Sequence, residues 1–243
     1  MSSTQTIDRI AYPETDGKPM GETDVHINWM IRIRDILKYR YRDQQVYVAS
    51  NLLVYYEEGL PQKFVVPDDF VVLDSDPGER RTFKIWEEKR TPDVVFEVTS
   101  LSSRRDDQEL KPQIYSRIGV REYFLYDPTD EYLNPALQGL RFEGDDCVRI
   151  EPDEFGRLQS QSLQISLHLG DGKLVFTDVQ TGQVLPTEAE AERSARAAET
   201  AARQAAESAR AAETAARQAA ESRADQLEAE LQRLRDASGP KRK

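Results

Sequence analysis

The segment Thr91-Pro-Asp-Val-Val-Phe-Glu-Val-Thr-Ser100 is an apolar run with a carboxylate in its middle. As a strand it sends Val94, Phe96 and Val98 to one face, and Asp93, Val95, Glu97 and Thr99 to the other. If that strand is central, an unpaired Glu97 carboxylate costs several kcal/mol or takes up a proton, unless a cation, a set of donors or a metal compensates. A solvent-facing strand side, or a structural ion pair, explains the same residue equally well. A second acid, Asp68, stands before the apolar strand in Val65-Val66-Pro67-Asp68-Asp69-Phe70, 29 residues upstream of Glu97. Alone it reads as a Pro-Asp turn. Together with Glu97 it gives two carboxylates on strong strands, which can hold Mg²⁺, a hard cation that takes oxygen ligands and keeps several waters. Lys111 follows in a helical segment, and an ammonium there can orient or activate an attacking water and stabilise charge on a phosphoryl oxygen.

Other candidates carry competing structural readings. Asp93 shares the strand face of Glu97 and is either a third carboxylate or a strand-entry turn. His26, at the start of the first helix, either approaches a metal site or is a lone surface histidine. Asp106 and Asp107 read as first-turn helix acids, with Ser102 or Ser103 as caps. Arg104 and Arg105 are phosphate contacts or ordinary exposed arginines, and Tyr115 and Tyr123 pack a helix on a sheet. Cys147 has no histidine nearby in sequence and is not a candidate nucleophile. The chain holds no GxxxxGK[ST], GxSxG or CxxC pattern.

The elements that must position these residues are legible in outline. Asp24 to Tyr39 is helical, with Ile27, Met30, Ile31 and Leu37 on one face. Strand-like runs follow at Val46–Ala49, Leu52–Tyr56, Phe70–Leu73 and Val94–Thr99. A polar helix spans about Arg105 to Ile118 and ends at Gly119. Pro112 predicts a break or a helix start near Lys111. The strand Glu122–Tyr126 stops at Asp127-Pro128, and residues 139–185 alternate as β-hairpins with Gly-Asp and Asp-Gly turns. This order predicts an α/β (α+β) domain with a mixed sheet.

Those motifs carry a family resemblance. Pro67-Asp68, PDVVFEVTS at 92–100 and SSRRDDQELKPQIYSRIGVREYFLYDP at 102–128 resemble the Uma-two family of restriction-endonuclease-like proteins, within the PD-(D/E)xK nuclease superfamily. The similarity extends over roughly residues 20–180, including NLLVYYEEG at 51–59 and EYLNPALQGLRF at 131–142, and reaches the charged, alanine-rich C-terminal helix. It implies a restriction-endonuclease-like core, with Asp68 and Glu97 as metal ligands for Mg²⁺ or Mn²⁺. The superfamily's lysine, two residues after the acid, is replaced here by Thr99. The resemblance implies Lys111, from the following helix, as its substitute.

Composition bounds the function. Of 243 residues, 44 are acidic and 33 basic, a net charge of −11. Residues 187–243 hold eleven of each, so the whole excess lies in residues 1–186. Such a head does not coat nucleic acid nonspecifically, because that binding rests on Lys and Arg neutralising phosphates. A local metal-assisted site on DNA remains compatible with it. No run reaches a membrane span, and the polar, acidic N-terminus has no signal-peptide core. One cysteine allows no internal disulfide, and with two histidines a structural zinc site is improbable; the expected setting is a reducing cytoplasm.

A composition shift near Leu185-Pro186-Thr187 divides the chain into a nuclease-like domain at 1–186 and a helical tail at 187–243. SARAAETAARQAAE occurs at Ser194–Glu207 and again at Ser208–Glu221. Its fourteen residues are two heptads, with alanines from Ala195 to Ala219 on one seam. Leu227, Leu231 and Leu234 continue displaced by one residue, as at a stutter. Two readings stand: a coiled coil that self-associates through residues 187–237 as a homodimer, or a solvated single helix. For the head, the expectation is a Mg²⁺-dependent DNA endonuclease with Asp68, Glu97 and Lys111 as its site. The alternatives are an inactive nuclease-fold interaction module that assembles through its coil, and a hydrolase of RNA or a nucleotide.

Overall fold

The computed structural model describes residues 10–17, 22–144 and 146–237. Residues 1–9 and 18–21 of the N-terminal stretch read above for a signal peptide, and the last six residues of the tail, lie outside them. Thr23 caps the first helix, α1 (Asp24–Arg40), by accepting the His26 backbone N–H at 3.3 Å. The helix buries Ile33, Ile36 and Leu37, while Ile31 stays 37% exposed. The apolar face is thus turned from the expected one: Ile33, Ile36 and Leu37 enter the core, and Trp29 packs beside them with its ring against Tyr126.

The strands are β1 (Val46–Ser50), β2 (Val54–Tyr55), β3 (Phe64–Val65), β4 (Asp69–Leu73), β5 (Phe83–Lys84), β6 (Val94–Val98), β7 (Glu122–Tyr126), β8 (Leu137–Glu143), β9 (Asp146–Arg149), β10 (Leu158–Ser160), β11 (Ile165–Gly170) and β12 (Lys173–Asp178). A short helix, α2 (Ile85–Glu88), follows β5, and α3 (Lys111–Ile118) connects β6 to β7. The main sheet is mixed, in the order β1-β4-β6-β7-β8-β9. Only β6 and β7 run parallel in it, as the helical crossover between them requires. Two three-stranded sheets complete the head, β10-β11-β12 and β3-β2-β5.

Both faces of the main sheet are covered, which makes β6 the most deeply buried strand. On one face Val94, Phe96 and Val98 pack with Ile33, Ile36 and Leu37 of α1 and with Ile165, Leu167 and Phe176 of the β10–β12 sheet. On the other, Val95 packs with Tyr115, Val120, Tyr123 and Phe70. The alternation read in the sequence is the alternation observed. The expected strand at 52–56 shortens to two residues, since β2 pairs only briefly with β3 and β5.

The chain separates into two compact units, the first ending at Glu188. The second begins at Ala189, and its described residues belong to α4 (Glu188–Ala237), an uninterrupted 50-residue α-helix. Alanine's helix propensity and i,i+4 pairs such as Arg203–Glu207 at 3.0 Å and Arg217–Glu221 at 2.9 Å account for its continuity.

Candidate active site

Strand pairing brings the two acids together. Asp69 pairs with Phe96 across β4 and β6, and carrying that register one residue further sets Asp68 beside Glu97. The Asp68 carboxylate takes the place of a backbone acceptor: its Oδ2 accepts the Val98 N–H at 2.8 Å. The Asp68 backbone N–H in turn donates to Glu97 Oε2 at 3.2 Å. The next residue, Asp69, accepts from the Ser50 hydroxyl on the neighbouring strand β1. Burial pushes its carboxyl well above the usual range.

Lys111 arrives from the crossover. The chain is helical from Arg104, widens into a π-helical turn at Asp106–Leu110, and continues as α3. The Lys111 backbone N–H bonds to Asp106 O, the five-residue step of a π turn. Pro112 follows immediately; it has no N–H to give and would crowd the preceding turn of a regular helix, and the widened turn relieves both. So the proline interrupts the helix locally and leaves Lys111 aimed at the sheet. Its Nζ lies 2.8 Å from Glu97 Oε2 and 2.9 Å from Asp107 Oδ1.

Of the residues singled out in the sequence, Asp68, Glu97, Lys111, His26 and Thr99 come together. His26 is 5% exposed, not a surface residue, and its Nε2 lies 3.2 Å from Asp68 Oδ1. Thr99 is buried, and its hydroxyl donates to Asp107 Oδ2 at 3.4 Å. Asp93 does not join them. It lies at the opposite end of β6, where Oδ2 accepts the Leu73 N–H at 2.7 Å and Oδ1 faces Arg121 at 3.3 Å.

Sequence reasoning passed over two contributors. Asp107 is 1% exposed and belongs to the interior, where the sequence suggested a first-turn surface acid. Tyr115 packs on the sheet as expected, but its hydroxyl also donates to Glu97 Oε1 at 2.7 Å. The signal was available: Asp107, Lys111 and Tyr115 are spaced by four, a spacing that stacks side chains along one helix face. Tyr123 supports the same turn by donating to the Asp107 backbone carbonyl at 2.9 Å.

The electrostatics follow from three carboxylates, Asp68, Glu97 and Asp107, gathered around one ammonium. Burial pushes the Asp68 carboxyl up, but the His26 hydrogen bond, Lys111 and the Val98 N–H outweigh it and hold it below the usual range. Burial, with Asp68 and Asp107 nearby, pushes Glu97 well above it, against the pull of Lys111. Burial alone would lower Lys111, yet Glu97, Asp107 and Asp68 keep it above its ordinary value. For His26 the opposing burial is likewise outweighed, chiefly by Asp68, and its pKa is raised. Lys111 is therefore an ammonium at neutral pH, a donor and a positive charge rather than a base.

Asp68, Glu97 and Asp107 share one ammonium in a buried cluster, and an added cation would relieve the crowding of their carboxyl groups. The donors are carboxylate oxygens, the kind a hard divalent ion prefers. Among the described residues no three His, Cys, Asp or Glu side chains are arranged to hold a metal ion. The pair Asp68 and Glu97 suits Mg²⁺, which binds through one or two carboxylates and keeps water on its other positions.

The mixed-sheet α/β domain thus brings Asp68, just ahead of β4, Glu97 on β6 and a helix lysine to one point. The sequence profile described as "Uma2: Putative restriction endonuclease" matches residues 13–170, and the chain belongs to that family. Among solved structures it is similar to one described as a putative nuclease of the DUF820 family from Anabaena variabilis. That likeness is 16% in sequence, covers 62% of this chain and 81% of the other, and has a TM-score of 0.42. No curated protein matches the chain significantly.

Proposed function

We propose that the protein is a Mg²⁺- or Mn²⁺-dependent endonuclease hydrolysing DNA phosphodiester bonds. The observation that supports this best is the convergence of Asp68, Glu97 and Lys111, with Glu97 Oε2 2.8 Å from the ammonium and 3.2 Å from the Asp68 N–H. Asp68 and Glu97 would hold the divalent ion, which supplies Lewis-acid stabilisation of charge growing on a phosphoryl oxygen. Lys111, kept protonated by its carboxylate neighbours, donates to the reacting phosphoryl group and orients water beside it. Tyr115 fixes the far oxygen of Glu97, and His26 fixes that of Asp68, so both carboxylates are held in one orientation. The test is plasmid nicking by purified protein with Mg²⁺ or Mn²⁺. Nicking by the wild type, and its loss in Glu97→Ala, is the expected result; equal nicking by both proteins would refute the assignment.

A second reading is a nuclease-fold interaction module without catalysis. It is favoured by the saturation of the site: all four oxygens of Asp68 and Glu97 already accept hydrogen bonds or face an ion-pair partner within the protein. Titration calorimetry of Mn²⁺ into wild type and Asp68→Ala separates the two, since the module predicts no heat from either. For α4 we propose homodimerisation through residues 187–237, with Leu227, Leu231 and Leu234, each at least 54% exposed, supplying the largest apolar area. A dimer suits the cutting of two strands. Light scattering on protein lacking residues 187–243 should show a monomer beside a dimeric full chain.

A further inference from the structure

We infer that Asp107 is a positioning residue: a second tether for Lys111 that keeps the ammonium in the site when Glu97 turns an oxygen elsewhere. The inference rests on the metal-dependent reading of the Asp68–Glu97 pair and assigns a role to a third buried carboxylate that the reading does not use.

The geometry gives Lys111 two anionic partners at nearly equal distance, Glu97 at 2.8 Å and Asp107 at 2.9 Å. They differ in what else they do. Glu97 is one of the two acids available to a divalent ion, and its Oε2 is the very oxygen that Lys111 occupies. Asp107 lies on the helix, four residues before Lys111, and its second oxygen is engaged by Thr99. A protein relying on Glu97 alone would face a conflict: engaging Glu97 with a cation would release a buried ammonium without a partner, which is costly. With Asp107 present, Lys111 retains a charge partner and stays where a phosphoryl oxygen can reach it.

Two hydrogen bonds and the turn itself fix Asp107 for this task. Tyr123 holds its backbone carbonyl at 2.9 Å, the Thr99 hydroxyl holds Oδ2, and the π-helical turn beginning at Asp106 sets the pitch between it and Lys111. Thr99, directly after β6, thus braces from the strand side the acid that holds the helix ammonium.

The test is a double-mutant cycle read on Mn²⁺ affinity by titration calorimetry, using the full chain as wild type, Asp107→Asn, Lys111→Met and the double variant. Asparagine is isosteric and retains an acceptor for Thr99. In Asp107→Asn the ammonium is left wholly on Glu97 and competes with the metal. Affinity should fall about 10–100-fold, the range for losing an outer-shell partner. In the Lys111→Met background the same substitution should change affinity by less than about threefold, because Asp107 acts through the lysine. A further tenfold loss there, roughly equal to the loss in wild type, would mean that Asp107 acts by its own charge, and would overturn the inference.

If Asp107→Asn fails to fold, comparing Lys111→Met with the double variant keeps the test decisive, because removing both charges of a buried pair is often tolerated. Where the wild type also nicks DNA, Asp107→Asn should lower kcat and leave KM within about twofold; a rise in KM alone would count against positioning. Absence of Mn²⁺ binding in the wild type would refute the metal-dependent reading itself. Binding by the wild type with no effect of Asp107→Asn would refute this inference and leave that reading standing.

Discussion

Glu97 and Asp93 share one face of one strand, four residues apart, and live in different chemical settings. Asp93 sits where β6 begins, with one oxygen on the Leu73 N–H and the other facing an Arg121 side chain that is 65% exposed. Its charge is met by one donor and by a guanidinium in contact with water. Glu97 sits one residue from the end of β6, fully buried, beside two other carboxylates and sharing a single ammonium with one of them. An acid of the first kind has its hydrogen-bonding needs met by its immediate neighbours. An acid of the second kind opposes stability, and such opposition gathers where a protein does chemistry.

The largest effect expected from this contrast is on metal-dependent cleavage. Glu97→Gln should reduce Mg²⁺-supported nicking by at least about 100-fold, because it removes a proposed ligand charge and one of the two charged partners of Lys111 together. Asp93→Asn, with the same change of atoms on the same strand face, should leave nicking within about threefold. Parallel nicking time courses compare them directly, and equal losses would erase the distinction between the two ends of the strand.

Next comes stability without metal, where the order should reverse. In Glu97→Gln the buried excess of negative charge falls while the Tyr115 hydroxyl keeps an acceptor. Urea unfolding in a chelator should therefore show stability equal to or above that of the wild type. Asp93→Ala should cost about 1–3 kcal/mol, because the Leu73 N–H loses its acceptor at the end of β4. A clear destabilisation by Glu97→Gln would indicate that the Lys111 pair outweighs the repulsion, which makes Glu97 a structural acid.

The strand carrying both residues was readable because its two-residue period reports burial on each face directly, and the helix end at Gly119 was readable because φ there is +87°. The same period put Asp93 and Glu97 on one face and could not separate them, since what distinguishes them comes from elsewhere: Arg121 after the crossover, and Asp107 and Tyr115 within it. The burial of His26 was hidden for a related reason. It depends on how α1 rotates against the sheet, and that rotation is set by Ile33, Ile36 and Leu37 meeting β6 rather than by the helix's own pattern. The π turn was half legible: Pro112 announced an irregularity, but only the packing of Tyr115 and Tyr123 decides that the chain widens there instead of stopping. For α4 the repeat predicted a long helix, and a long helix is observed, because its hydrogen bonds are all local.

An intermediate effect is expected from Tyr115→Phe, which removes only the hydroxyl that holds Glu97 Oε1. A buried carboxylate oxygen then lacks its donor, at a cost of about 1–3 kcal/mol in urea unfolding. The released carboxylate loses its fixed orientation, and cleavage should fall about tenfold, the lower end of the range for outer-shell partners. Asp93 has no such support, so no tyrosine change should mimic Asp93→Asn.

The smallest effect sharpens the comparison through pH. Burial leaves the Asp93 carboxyl above its ordinary value, with the Leu73 N–H, Arg121 and Arg90 pulling the other way. The folded protein therefore binds more protons at this position than the unfolded chain does, from about pH 4 up to the folded-state value. Its contribution to stability is complete below that window and is lost as pH rises through it. Asp127 is the opposite case. Although burial raises its carboxyl, the backbone N–H groups of Tyr132, Leu133 and Thr129 and the Thr129 hydroxyl outweigh burial and hold it low. Its contribution is present above about pH 4 and is lost as pH falls through the folded-state value. Unfolding free energies measured from acid to neutral pH should thus respond to the two asparagine substitutions with opposite changes of slope. Asp93→Asn should lessen the fall in stability just above pH 4, and Asp127→Asn should lessen the rise from acid pH. If Asp93→Asn instead steepens that fall, Arg121 dominates its environment, and Asp93 would be an ion-paired acid as strongly held as Asp127.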